Sequence, residues 1–574
     1  MKRCPECRRD YYDETLLYCL EDGTALVQGS VPVPVGEADE PATAILHDTA
    51  PPKEAATRAQ IHMTGQTAVL PTGTGEIVPK SVGFDKRLLA APLLLAIIVL
   101  GGFFGYRYVT QGKQIDSIAV MPFVNASGNG DVEYLSDGIT ESLINNLSQL
   151  SKLSVKARSS VFRYKGKDIE PQQAAADLKV QAVLNGRVNQ HGDSLTISLD
   201  LVDGVTGNQI WGEQYTRKMG DLATLQSEIA RDVSQKLRSR LTGADENRVV
   251  KNQTQNAQAY QLYLQGRHNW NKRTDQSVAK AIEYFQQAIE KDPNYAMAYV
   301  GLAESYMLSS LTADERYPKT KAAALKAIEI DPSLGEPHAA LGVYKDLYEH
   351  DFAGAEEECR RAIDLSPNYA TAYHWYAEFF VQQGRFDESL PLWKKALELD
   401  PFSLAIGTDY GYEYLYYSRQ YDQAIDYLNK LVEIDPNYVR THGYLADVYQ
   451  TMGRYEDALN ELEKRAVLHG NKPDEIARGK KELLDALKTK GPKGYWSKIL
   501  EFTMKENKNE KDLPALDLAR IYSELGERDE AFKWLEKAYE NKDFDLVWLK
   551  VSPTWDKLRD DPRFAEFVKK VGQP

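Results

Sequence analysis

The spacing of apolar residues changes character several times along the chain. From residue 257 to 470, large and small apolar residues recur at helical spacing, and prolines punctuate them at Pro293, Pro332, Pro367, Pro401 and Pro436. The steps between these prolines are 39, 35, 34 and 35 residues. Each proline ends a helix, because it cannot continue the hydrogen-bond ladder. Ala281, Phe285 and Ala288 precede Pro293; Ala355, Cys359 and Ala362 precede Pro367; Trp393 and Ala396 precede Pro401. Leu445, Ala446, Tyr449, Ala458 and Leu462 follow Pro436. Small residues let neighbouring helices approach, and large ones fill the gaps between them. Six helix pairs are predicted over 257–470. Residues 471–512 read as a charged, off-period helical spacer. A further pair falls at 515–541, with Leu518, Ala519, Tyr522, Ala531, Leu535 and Ala538, inside a last region, 513–574, whose tail caps the stack.

Residues 115–245 alternate short apolar runs with amphipathic ones. IDSIAVMPF and LSVKAR read as strands and YLSDGITESLINNLSQL as a helix, with Leu135, Ile139, Leu143, Ile144 and Leu147 at helical spacing. PQQAAADL is a helix with Pro171 at its start. The stretch from Gln181 to Tyr215 reads as three antiparallel strands turned at His191-Gly192-Asp193 and at Asp203-Gly204. A helix at about 221–241 completes a compact α/β domain. Asp137, Glu141 and Asp177 read as solvated helix faces, and Asp137-Gly138 as a helix start.

Ahead of this domain the pattern becomes uniformly apolar. Leu88 to Tyr106 carries no charge, and its flanks are Lys86-Arg87 and Arg107. Such a run makes about 28 Å of helix, close to the hydrocarbon thickness of a bilayer. A single transmembrane helix is therefore predicted at 86–109. Lys80, Lys86 and Arg87 before it outnumber Arg107 and Lys113 after it, which predicts an inner-membrane protein with a cytoplasmic N-terminus and periplasmic C-terminal domains. Gly101 and Gly105 have the G-x-x-x-G spacing of a helix-dimer contact, a possible route to a homodimer. Residues 28–85, rich in Pro, Gly, Thr and Ala, read as a disordered linker.

The first 27 residues hold three of the four cysteines, in the spacing C-x2-C-x11-C-x2-D. Two short turns brought together by a hairpin would present Cys4, Cys7, Cys19 and Asp22 to one ion. Thiolate sulfur and carboxylate oxygen are both ligands for zinc. The unit resembles a zinc ribbon with Asp22 in the place of a fourth cysteine, and a structural zinc is expected.

Two further resemblances follow from the residues quoted. The period near 34 with helix-pair patterning resembles the tetratricopeptide repeat. IAVMPF, EYLSDGITESL, FRYKGKD, NGRV, LDLVDGVTGNQIWGEQY and LQSEIA resemble the TolB-like amino-terminal domain over about 115–242. That resemblance implies an α/β domain outside the inner membrane with no assigned catalysis. The fold class expected is therefore multidomain: a zinc-ribbon-like unit, one transmembrane helix, a TolB-like α/β domain and an all-α repeat solenoid.

Charge and motifs narrow the function. The formal net charge is -14, against the basic surface that nucleic acid requires, so no nucleic-acid partner is expected. No phosphate-binding loop, kinase, zinc-protease or serine-hydrolase motif occurs, and the nine histidines show no evident ligand spacing. The chain is expected not to be an enzyme. YGYEYLYYS, residues 410–418, cannot turn every ring inward, and Tyr410, Tyr414 and Tyr417 are candidate contacts for a protein partner in the repeat groove. The reading is a membrane-anchored scaffold or adaptor in signalling or envelope assembly. The alternative is a transmembrane sensor whose outer domain binds a small ligand and signals to the cytoplasmic zinc ribbon.

Overall fold

The computed structural model describes residues 2–3, 10–11, 27–28, 115–150, 152–237, 254–506 and 513–572. Contacts divide the chain into two units, Met1–Leu93 and Leu94–Pro574. In the first, β1 (Lys2–Arg3) pairs antiparallel with β2 (Asp10–Tyr11) and with β3 (Val27–Gln28). β1 and β2 bracket Cys4 and Cys7 in sequence; Cys4, Cys7, Cys19 and Asp22 themselves lie outside the described residues.

The expected single-pass placement in the inner membrane is corrected. Among the described residues no helix is long and apolar enough to cross a membrane. The run at 86–109 on which the expectation rested, with Gly101 and Gly105, lies outside them, as does the linker at 29–85.

In the second unit, β4 (Ser117–Val120), β5 (Val124–Asn125), β6 (Ser154–Val155), β7 (Ala182–His191), β8 (Ser194–Asp203) and β9 (Gln209–Lys218) form one sheet. The main path is β6-β4-β7-β8-β9, with β5 beside β7. β4 runs parallel to β6 and β7, whereas β7, β8 and β9 form an antiparallel meander. Helices α1 (Glu133–Ser148), α2 (Arg158–Phe162), α3 (Pro171–Leu178) and α4 (Leu222–Leu237) complete the domain. Pro171 stands in the first turn of α3, where its missing N–H costs nothing.

The repeats follow as helix pairs. They are α5 (Ala257–Trp270) with α6 (Asp275–Lys291), α7 (Ala296–Leu308) with α8 (Ala313–Ile330), and α9 (Glu336–Tyr344) with α10 (Phe352–Leu365). Next come α11 (Ala370–Gln382) with α12 (Phe386–Leu399), α13 (Leu404–Asp409) with α14 (Tyr421–Ile434), and α15 (Val439–Thr451) with α16 (Tyr455–Leu468). α13 continues as a wider π-helical stretch, Tyr410–Tyr416. The spacer is α17 (Pro473–Glu506), broken at Gly491, whose φ of 64° no ordinary helix allows. α18 (Ala515–Leu525) and α19 (Arg528–Glu540) make the seventh pair, and α20 (Pro562–Lys570) closes the chain. Trp555, Phe564 and Phe567 share a core with Leu518 and Leu535, so the tail covers the apolar end of the stack.

The small-and-large logic of the repeats is visible atom by atom. Phe285 is fully buried, and its ring fills the space that a Cβ on Gly266 or Gly301 would need, at 2.6 and 2.5 Å. Cys359 does the same opposite Gly342, at 2.6 Å. Burial raises its thiol pKa, as suits a core cysteine.

One expectation for the α/β domain fails. Asp137 and Glu141 are buried, 5% and 3% exposed, and Gly138 lies inside α1. The reason is docking: α1 is sandwiched between its own sheet and α5, and a Cβ on Gly138 would lie 2.7 Å from Leu264 Cδ2. Gly138 is the crossing point of two helices rather than the start of one. Asp177 is exposed, as expected.

The turns between repeats finish the attachment. The Asn368 side-chain amide reaches the carbonyls of Leu153, Ser148 and Leu150 at 2.8, 3.0 and 3.2 Å, serving the end of α1. Ser159 and Ser160 both donate to Asp400, the latter at 2.6 Å, and Arg163 covers the Phe402 ring at 3.9 Å. The tail holds the repeats at other points: Arg419 donates to the Val551 carbonyl at 2.5 Å and to Asp556 at 2.6 Å.

Candidate functional site

The first helices of successive pairs bring ionisable side chains together. His374 and Glu378 are one turn apart on α11, so they share a face. Asp409 ends α13, and Glu413 follows it in the π-helical stretch. Arg440 and Tyr444 come from α15.

His374 Nε2 lies 2.8 Å from Glu378 Oε1 and 3.2 Å from Asp409 Oδ2. Arg440 donates from Nη1 to Asp409 Oδ2 at 3.3 Å, and its Nη2 lies 3.0 Å from Oδ1. Its Nε donates to Tyr444 Oη at 2.9 Å. The Trp393 ring backs the imidazole at 5.2 Å. His374, Asp409 and Glu413 are buried, whereas the Arg440 side chain is 46% exposed and marks the open side of the cluster.

Three carboxylates in this space share one guanidinium and one imidazole. Burial opposes a charged imidazole, yet the Glu378 and Asp409 carboxylates push the His374 pKa up to about 10. Burial, and then the charges of Glu378 and Asp409, drive the Glu413 carboxyl well above its usual range. Glu378 is held low despite its burial, chiefly by His374. In the neighbouring repeat, burial and then the charge of Glu378 push Asp346 up to about 7.

The tyrosines singled out in the sequence occupy the repeat packing. Tyr410 is half-buried, stacked on Tyr414 with ring centres 5.4 Å apart and edge-on to Tyr427 at 5.1 Å. Tyr414 and Tyr417 are buried; the first meets Phe386, and the second is covered by Trp548 of the tail at 5.3 Å. The cluster at His374 was missed by the sequence reading, although HWYAE, residues 374–378, carries a helical i, i+4 pair in plain view. Asp409 follows His374 by 35 residues, one repeat on, so the repeat period itself brings the third group alongside.

A cleft of about 730 Å³ lies elsewhere, lined by His442, Glu461 and Lys464. His442 is spoken for, with Nδ1 2.6 Å from Glu461 and Nε2 2.9 Å from the Pro436 carbonyl.

Comparison with known proteins agrees with this architecture. Tetratricopeptide repeat models match residues 346–406, 415–472 and 516–543. This chain carries tetratricopeptide repeats. Residues 113–232 match the second domain of HilA/YgeH-like transcriptional regulators, where the sequence motifs resemble the TolB-like domain. A Rhizobium meliloti (strain 1021) protein, provisionally named adenylate cyclase 3, is 35% identical over 187 residues, 33% of this chain and 32% of that protein. The TPR repeat-containing protein YpiA of Bacillus subtilis (strain 168) is 25% identical over 276 residues, 45% of this chain and 63% of its own. The chain thus spans less than two thirds of either relative. Among solved structures, YrrB, a TPR protein with an unusual peptide-binding site, is 19% identical over 34% of this chain and 97% of its own, with a TM-score of 0.25.

Proposed function

We propose that the chain is a non-enzymatic protein-interaction scaffold serving a signalling or regulatory assembly, with its repeats as the binding part. The observation that carries this reading is the stack of seven helix pairs. A repeat stack offers an extended surface suited to a protein segment. On it, Arg440 stays half-exposed beside Tyr444 while the groups beneath it are buried. The relatives support a regulatory setting: one carries the name of a cyclase, and one matching domain belongs to transcriptional regulators. On this reading the α/β domain holds the repeats in shape.

Affinity capture from native extract tests the proposal. The bait is the full chain, compared with Arg440→Ala on the open side of the cluster and with Lys395→Ala on α12. A protein retained in stoichiometric amount by the wild type and Lys395→Ala, and lost with Arg440→Ala, supports the scaffold. Equal retention by all three would overturn the assignment of the binding surface. Retention of a small molecule and no protein would overturn the scaffold itself.

A further inference from the structure

The buried cluster contains polar atoms that the chain does not satisfy. His374 Nε2 and Glu413 Oε2 are buried atoms without a hydrogen-bond partner, and Asp409 Oδ1 has only the Arg440 guanidinium, 3.0 Å away. The two oxygens near Nε2 are close, but neither is aligned as a hydrogen bond. Buried polar atoms are almost always satisfied, so two orphans within one cluster need a cause.

One ligand atom each from His374, Glu378 and Asp409 lies within 4.8 Å of the others. A cation with bonds of about 2.0–2.2 Å fits between atoms so spaced, with small side-chain shifts. The donors come from two neighbouring helices, α11 and α13, each fixed by packing. His374 rests on Trp393, and Asp409 is held by the guanidinium of Arg440. A hydrogen-bonded carboxylate and an oriented imidazole are what a metal site needs around its ligands. The charge balance agrees: Glu378, Asp409 and Glu413 face a single permanent cation, Arg440.

We propose that His374, Glu378 and Asp409 form a binding site for a divalent transition-metal ion of the zinc class. One imidazole nitrogen with carboxylate oxygens suits Zn²⁺ and Co²⁺ better than Ca²⁺ or Mg²⁺, which prefer oxygen alone. The ion ties two adjacent repeats together beneath the exposed Arg440. This site is separate from the cysteine unit and does not depend on the scaffold reading.

Co²⁺ is the probe, because its visible spectrum distinguishes nitrogen and oxygen ligands from thiolate. Titrated into the full chain, Co²⁺ should give one site with weak bands and no sulfur charge-transfer absorption, apart from any signal at the cysteines. His374→Gln and Asp409→Asn should each weaken that site at least tenfold. Addition of Co²⁺ should raise the thermal midpoint of the wild type. Where a variant fails to fold by circular dichroism, Glu378→Gln and the cobalt-induced shift of the wild-type thermal midpoint decide. The proposal is overturned if wild type shows no sulfur-free cobalt site, or if that site persists unchanged in the folded variants.

Discussion

Arg267 of α5 donates from Nε to Glu141 of α1 at 2.6 Å, a buried link between the repeats and the α/β domain. The same guanidinium pairs with Glu304 of α7 at 2.5 Å, and Asn271 donates to the other oxygen of Glu141 at 2.6 Å. Burial disfavours the charge on Arg267, yet Glu141 and Glu304 hold its pKa well above the usual value.

Removing one partner strands the rest. Arg267→Met should cost about 3–5 kcal/mol, because Glu304 is left buried without its cation and Glu141 keeps only Arg158, at 3.0 Å. Adding Glu304→Gln should recover part of that loss, since Glu304 is the carboxylate left without an ion-pair partner. Urea denaturation of the two single variants and the double variant measures the coupling; strictly additive effects would deny it.

Gly138→Ala tests the helix crossing. Its methyl meets Leu264 Cβ at 2.9 Å, where neither helix has room to yield. A cost of about 1–3 kcal/mol is expected. Early proteolytic release of the α/β domain from intact repeats would locate the damage; an unchanged digest would show that the interface absorbs a methyl group.

Asp346 should make stability depend on pH. Its folded pKa is raised to about 7 by burial and then by Glu378, so the folded state keeps a proton that the unfolded chain gives up near 3.8. The stabilisation is complete below pH 3.8 and is lost as pH rises through 7. Asp346→Asn should flatten that slope and add about 1–3 kcal/mol at pH 8, since it removes a buried charge of small benefit. Denaturation midpoints of both proteins from pH 5 to 8 measure it, and parallel curves would reject it.

The cysteine unit carries a separate expectation. Residues 1–27 should hold one zinc ion, and Cys19→Ala should release it, as metal analysis of the dialysed peptide would show. A folded peptide free of metal would end the zinc-ribbon reading.

Much of the repeat architecture was legible because it is periodic. Prolines, alanines and large residues mark each pair locally, and Phe285 opposite Gly301 needs no distant information. The antiparallel strands likewise carried their own turns. What the sequence hid was non-local. Nothing near Asp137 or Glu141 announces that α5 will cover them, since the covering residues lie more than 100 positions on. His374 and Glu378 were visible as a helical pair, yet only the next repeat supplies Asp409. Three of the tyrosines looked surplus to the core, because the tail that buries Tyr417 under Trp548 belongs to a different part of the chain.

A stack of repeats ordinarily behaves as a spring, each turn answering only to its neighbours. Here Asp400 receives Ser160 from 240 residues earlier, and Arg419 reaches Val551 from 132 residues away. Such spans couple distant turns, so the spring is clamped and should not stretch or unravel from one end. They also impose an order of birth. The α/β domain leaves the ribosome long before the turn that will hold it exists, and its buried acids on α1 must wait in water until the first repeat helix, α5, arrives.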